Sequence, residues 1–213
     1  MTSTTLEKKA DLKVVVLPID ELKPHEKGSP LYLEILKKEI TRDGVLKYPI
    51  IADEKTRVIL DGMHRWLALK NMGYTFIPTL LVDVSKTPGI RVGRRRIHQY
   101  ICDQNAEIPV EEVISAGVSG RLMKPRSTRH FFPFSKFQQV NYPLNLLRKD
   151  KPKDVSEYLE KMTEEECRFA IKEWIEEIME ELDFLTKRKE EVEKEIGDFL
   201  NRVKNLNNNL LNP

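Results

Sequence analysis

Residues Val58–Leu69, VILDGMHRWLAL, decide how the chain is read. Val58, Ile59 and Leu60 are a β-branched and aliphatic run suited to a buried strand. Asp61-Gly62 is a turn dipeptide, and Gly62 permits the backbone angles of a sharp reversal. Trp66, Leu67 and Leu69 then open an apolar helical face, which Asn71 and Gly73 close. The stretch is strand, tight turn, helix, with Gly62, Met63, His64 and Arg65 at the helix N-terminus. Backbone N–H groups are unpaired at such an end, and the helix dipole favours an anion. His64 and Arg65 add donors suited to phosphate. Asp61 does not belong in a plain anion site unless it orients a metal ion or polarises a donor. A structural joint, capped by Asp61 with His64 and Arg65 solvated, accounts for the stretch equally well on its own.

The flanking sequence supplies a sheet for this strand. Leu12–Leu17 reads as a strand that Pro18 ends, and residues 19–30, IDELKPHEKGSP, as a turn-rich loop with Glu26 expected exposed near its middle. Leu31–Arg42 has apolar residues at 31, 32, 35, 36 and 40, a helical stripe that Asp43-Gly44 stops. Pro49–Ala52 and Arg57–Leu60 flank DEKT as a hairpin, and Phe76–Val84 is a further strand. The order strand, helix, hairpin, helix, strand predicts a small α+β domain with a mixed sheet. Pro109–Ser119 reads as a short helix with Pro109 at its start. It leads into Arg121–Phe134, RLMKPRSTRHFFPF. Before it, Arg91, Arg94, Arg95 and Arg96 form a basic patch with His98 and Tyr100 close by. Such a patch can contact nucleic acid, but four arginines are more often a solvated or phosphate-facing surface, so specific nucleic-acid binding is not expected.

Composition narrows the class. The chain has 213 residues, 40% hydrophobic and 33% charged. No apolar run approaches the roughly 20 residues of a membrane span. The opening MTSTTLEKKADLK has no apolar signal region. Cys102 and Cys167 lie at no metal-ligand spacing, so neither a disulfide framework nor a zinc site is indicated. A cytoplasmic protein is expected. The net charge of +2 hides an asymmetry: residues 154–213 hold 17 acidic and 9 basic side chains, a balance of −8, so residues 1–153 carry +10. An anionic ligand belongs with the basic part.

These shifts divide the chain into a disordered segment 1–11, a domain 12–153 and a helical tail 154–213. In the tail, Asp154 is expected to cap a short helix, DVSEYLEKM, and Thr163 with Glu166 to form a capping box for a long one. From Ile171, alternating steps of four and three meet eleven apolar residues in twelve, ending at Leu210; Lys189 is the exception. That is a coiled-coil seam, which predicts a homodimer through residues 163–206. The closing NLNNNLLNP is expected to fray.

Three stretches carry the candidate chemistry: Lys23–Glu26 (KPHE), Asp61–Arg65 (DGMHR) and Lys124–His130 (KPRSTRH). Each sits at a loop or helix start, where functional groups concentrate. Singly, each reads as turn or cap. Together they offer a carboxylate base, an anion-holding helix end and a cationic cluster with hydroxyls. That set suits phosphoryl transfer, where positioning and charge neutralisation dominate.

DGMHR-W resembles the DGHHR-W motif of the ParB/sulfiredoxin superfamily, with Met63 in place of the first His. Members place a nucleotide phosphate at this helix end. The three stretches in order resemble the free L-serine kinase family, whose pattern is KPHE, DGHHRW, then PKTTRH followed by a short apolar run and Pro. The resemblance covers about residues 12–84 and 109–135. Its first and last motifs are absent from general ParB and sulfiredoxin proteins. It implies a ParB/sulfiredoxin-like fold that transfers phosphate from ATP or ADP, with Mg²⁺, to L-serine, giving O-phospho-L-serine for cysteine biosynthesis. It implies Glu26 as general base and Asp61 as a second catalytic acid. Gly62, Met63, His64 and Arg65 would hold phosphate. Lys124, Ser127, Thr128, Arg129 and His130 would bind the serine carboxylate and the transferred phosphate. The alternative is a ParB-like DNA-binding or nucleotide-switch protein that dimerises through its coiled coil. That reading calls for a helix-turn-helix after the first domain, whereas residues 85–150 are proline-rich and irregular. A sulfiredoxin would need a cysteine near Gly62–Arg65, which has none. The longer middle region of the founding kinases shrinks here to about 85–108, and the coiled-coil tail is unlike them.

Overall fold

The computed structural model describes residues 13–94, 107–125, 127–136 and 139–211. Contacts divide the chain into two compact units, Met1–Arg168 and Phe169–Pro213.

The first unit is built on a four-stranded mixed sheet of β1 (Val14–Pro18), β3 (Ile50–Asp53), β4 (Ile59–Asp61) and β5 (Phe76–Val82), in the order β1-β5-β3-β4. β3 and β4 are the antiparallel hairpin expected around DEKT, and β3 runs parallel to β5. Asp53 accounts for the tightness of that hairpin: its buried carboxylate accepts from the backbone N–H and hydroxyl of Thr56 and from the Val84 N–H. The right connection between the parallel strands is α2 (Met63–Asn71), which follows β4 through Gly62. α1 (Pro30–Asp43) packs beside α2, and Gly44 ends it with φ 66°.

Alternation along the strands explains why the runs are almost wholly apolar: the sheet is covered on both faces. Ile50, Ala52, Ile59 and Ile77 face the helices, packing with Leu33, Ile40, Trp66, Leu67 and Leu69. Ile51, Leu60, Leu80 and Val82 face the other way, onto a second cluster with Val92, Ile108 and Val113. That cluster is roofed by an antiparallel sheet, β7-β6-β8, of β6 (Arg91–Arg94), β7 (Glu107–Ile108) and β8 (Thr128–Phe131), and by α3 (Val110–Ser119). Trp66 is completely buried, and its indole N–H donates to the Ile19 carbonyl at 2.9 Å.

Three expectations change. The 19–30 loop is not a solvated excursion, and Glu26 is only 8% exposed. Its backbone is threaded between other segments: Ile59 N–H donates to the Lys23 carbonyl, Met123 N–H to the His25 carbonyl and Lys27 N–H to the Met123 carbonyl. Residues 154–163 belong to the folded unit rather than to the tail. Asp154 does cap, but only a single 3₁₀ turn, Ser156–Tyr158, because the backbone beyond pairs with Gly28 instead of with itself. Val155 is buried, and Tyr158 stands edge-on to Trp66 at 5.1 Å. The boundary expected at 153/154 therefore falls after Arg168. Finally, the last residues do not leave the helix: α4 (Glu164–Leu211) runs 48 residues. Thr163 and Glu166 form the expected capping box, with Glu166 N–H donating to Thr163 Oγ1 and Thr163 N–H to the Glu166 carboxylate. Among the described residues no helix is long and apolar enough to cross a membrane. Of the basic patch, Arg91 pairs with Glu107 at 2.9 Å across β6 and β7; Arg95, Arg96, His98 and Tyr100 lie outside the described residues.

Candidate active site

The three motif stretches meet in the first unit. Lys23–Gly28 runs as a ribbon bridged to Val58 on one side and Met123 on the other. This puts His25 and Glu26 beside the β4–α2 joint and beside the start of β8. The joint itself needs glycine: Gly62 has φ 93°, and a Cβ there would sit 2.8 Å from Ile50 Cδ1 and from an Arg65 guanidinium nitrogen. Beyond it, the first N–H groups of α2 have no carbonyl of their own helix to reach.

His64 ties two helix starts together. Its Nε2 accepts the Ser29 N–H at 2.8 Å, and Ser29 is the N-cap of α1. Nε2 is thus an acceptor, so the ring proton sits on Nδ1. The Tyr32 ring stands edge-on to it at 4.7 Å. The positive ends of α1 and α2 converge here, which favours an anion. Arg65 does not project into open space. It turns back on Asp61, forming an ion pair, and donates to the Pro49 carbonyl at 2.9 Å. Lys136 reaches the other Asp61 oxygen at 3.5 Å. Burial pushes the Asp61 carboxyl up, but Arg65 and then Lys136 outweigh it, and its pKa lies below the ordinary value. Asp61 is a carboxylate held between two cations.

His25 is 2% exposed. Its Nδ1–H donates to the Ile59 carbonyl at 2.6 Å, and its Nε2 lies 2.9 Å from Thr128 Oγ1. Burial lowers its pKa to about 4, against a smaller opposing effect of the Ile59 carbonyl, so the ring is neutral near pH 7. Neutral Nε2 must accept, and Thr128 supplies the proton. Glu26 Oε2 is 3.3 Å from the same hydroxyl. His130 follows two residues later on β8, 5.3 Å from the His25 ring centroid. Burial, then the proximity of His25, lowers its pKa to about 3. Ser127 Oγ and His130 Nε2 are buried without a hydrogen-bond partner. Buried polar atoms are nearly always paired, so an orphaned pair at one place points to a bound molecule. Lys124 is exposed and Arg129 half-buried at the same end of β8.

No protein-family model matches the chain. In sequence it is 36% identical over 73 residues to an ATP-dependent L-serine kinase of Staphylothermus marinus, covering 32% of this chain and 29% of that protein. It is 31% identical over 73 residues to an ADP-dependent L-serine kinase of Thermococcus kodakarensis, 32% of this chain and 30% of that one. A ParB-like protein of Sulfolobus acidocaldarius is 38% identical over 65 residues, 30% of this chain and 31% of that one. The chain thus matches less than a third of the length of each. In structure, a free serine kinase in complex with AMP superposes with TM-score 0.55 and 16% identity, over 66% of this chain and 98% of that one. The chain is a relative of the free serine kinases and has their fold.

Set against the kinase pattern, the structure gathers Glu26, Asp61, Gly62, His64, Arg65, Ser127, Thr128 and His130. It separates two others in orientation. Met63 turns its side chain into the core, 5% exposed, because it begins the apolar face of α2, and only its backbone N–H faces the helix end. Arg65 spends its guanidinium on Asp61 and Pro49. The sequence reading passed over His25 as a turn residue and did not single out Lys136. A kinase-pattern His beside the acidic residue was a signal for the first. Nothing local marks Lys136, which becomes visible only through its contact with Asp61.

Proposed function

We propose that the protein phosphorylates free L-serine from ATP or ADP, giving O-phospho-L-serine of the kind used for cysteine biosynthesis. The observation that carries this reading is the meeting of Glu26, Thr128 and His130 beside a glycine-hinged helix N-terminus. The serine hydroxyl loses its proton to Glu26 as its oxygen bonds to the terminal phosphorus. The bond from that phosphorus to the nucleotide's bridging oxygen breaks, and AMP or ADP leaves with the electron pair. Because Thr128 gives its proton to His25, that proton is not spent on Glu26, which stays a base. The N–H groups of α2 and the cations Lys136, Lys124 and Arg129 oppose the phosphate charge. Ser127 Oγ and His130 Nε2 supply unmatched hydrogen-bonding atoms for the substrate.

Magnesium enters on the nucleotide phosphates, which demands only one or two protein carboxylates; Glu26 and Asp61 are the carboxylates at this site. Among the described residues no group of three or more His, Cys, Asp or Glu is placed to hold a metal. Arg65, in this reading, acts by locking Asp61 and the joint. The long seam of α4 supports pairing of two copies through residues 163–206, because an amphipathic helix of this charge needs a partner to bury its apolar stripe. The test of the activity is incubation with L-serine, Mg²⁺ and either nucleotide, with phosphoserine detected directly. Absence of product with both nucleotides overturns it. A sequence-selective DNA shift at physiological salt would instead favour the ParB-like reading.

A further inference from the structure

The unit from Phe169 is a helix whose apolar stripe is bare. Ile175, Leu182, Ile196 and Phe199 on the seam are each more than half exposed, and so is Met179 beside it. The seam alone does not say which way a partner helix runs. The residues flanking it do.

Taking the seam as the a and d positions of a heptad, Ile175, Leu182, Lys189, Ile196 and Val203 fall at a. Glu181, Arg188, Glu195 and Arg202 then line one flank, alternating in sign. Met179, Thr186, Glu193 and Leu200 line the other. We propose that α4 pairs with α4 of a second copy in the antiparallel sense, in a register centred between residues 190 and 191. This deepens the dimer reading given above and rests on it.

In that register every seam residue meets a seam residue: Ile178 faces Val203 of the second copy, Leu182 faces Phe199, and Leu185 faces Ile196. Each flank then meets itself in reverse. Arg188 meets Glu195 and Glu181 meets Arg202, each pair formed twice by the two-fold axis. On the other flank Met179 meets Leu200, joining two exposed apolar side chains outside the seam. Lys189 faces Val192, where its long stem packs and its charge reaches solvent. Parallel pairing keeps only Arg188 with Glu193. It sets Lys189 against Lys189 at the centre and Glu195 against Leu200. The charge pattern therefore selects the antiparallel arrangement. At 1.5 Å per residue, Ile171 of one copy and Ile171 of the other lie about 60 Å apart, at opposite ends of the rod.

Native mass spectrometry of the full chain tests this with charge-reversed variants, far-UV circular dichroism confirming that each keeps its helix. Arg188→Glu and Glu195→Arg chains each self-associate more weakly than wild type, since each sets like charges together twice. Mixed, they form the heterodimer about tenfold in excess of its statistical share, because both pairs are again opposite in sign. The double variant Arg188→Glu/Glu195→Arg self-associates as tightly as wild type. Parallel pairing gives the contrary result, and would overturn the orientation while leaving the dimer: Glu195→Arg then self-associates like wild type, shows no preference for the Arg188→Glu chain, and does not rescue it in the double variant. A wild-type chain that stays monomeric at tens of micromolar overturns the dimer reading itself.

Discussion

Thr128 has one hydroxyl proton and two claimants, His25 Nε2 at 2.9 Å and Glu26 Oε2 at 3.3 Å. The nearer claimant wins while His25 is neutral, and burial keeps it so. Glu26→Gln then removes the proton acceptor but alters little of the packing around Thr128. We expect it to lower phosphoserine formation by about 10²–10⁴-fold, the usual contribution of a positioned base, with ADP affinity by calorimetry changed little. The two buried histidines also set the acid limit of stability. His25 and His130 titrate at about 4 and about 3 in the folded chain, against 6.5 when unfolded. Below pH 6.5 the unfolded chain binds protons that the folded one excludes, so stability is complete above 6.5 and falls as pH drops toward 4. Depression of the Asp61 carboxyl acts in the same direction at lower pH. The loss is on the order of a few kcal/mol. Urea unfolding at stepped pH should show it, and His130→Leu should flatten the slope between pH 6.5 and 4.

At the scale of elements, the β4–α2 joint sets the site. Gly62 and Gly44 both end or begin a helix with positive φ, at 93° and 66°, yet their surroundings differ. Nothing lies within 4 Å of a Cβ built on Gly44, whereas one on Gly62 meets Ile50 and Arg65 at 2.8 Å. Gly44→Ala should therefore cost only the left-handed backbone penalty, roughly 1–2 kcal/mol. Gly62→Ala should cost more, because Arg65 must leave Asp61 or Ile50 must shift. Thermal unfolding of the two variants measures the difference. Calorimetry should also show nucleotide binding weakened by Gly62→Ala alone.

For the whole molecule, the question is where the folded unit stops. Val155 and Cys167 are each 3% exposed, and Tyr158 and Leu159 pack on the helix-side core. Each large apolar side chain buried is worth roughly 1.5–3 kcal/mol, and a domain's whole stability is only about 5–15 kcal/mol. A chain cut after Lys153 should therefore fail to fold cooperatively. One cut after Arg168 should retain its thermal transition and its phosphoserine turnover while losing self-association. Circular dichroism, the turnover assay and light scattering on both truncations decide it.

Local signals carried the strand, turn and helix of Val58–Leu69, the stop at Gly44, the Thr163–Glu166 capping box and the continuous helix after it. Each depends on residues a few positions apart, through periodicity, capping and the conformational freedom of glycine, so the sequence by itself determined them. The order of the three motifs belonged to it as well, and with it the family resemblance. The burial of Glu26 did not, because it follows from backbone pairing with Met123. Nor did the hydrogen bond between His25 and Thr128, 103 residues apart, or the reach of Lys136 to Asp61 across 75. Val155 and Tyr158 joined the core for the same reason: their partners lie on Gly28 and Trp66. Sequence determines what each segment can form alone; which polar groups are dehydrated together, and so which carboxylate is a base and which a tethered anion, is decided only when distant segments close around them.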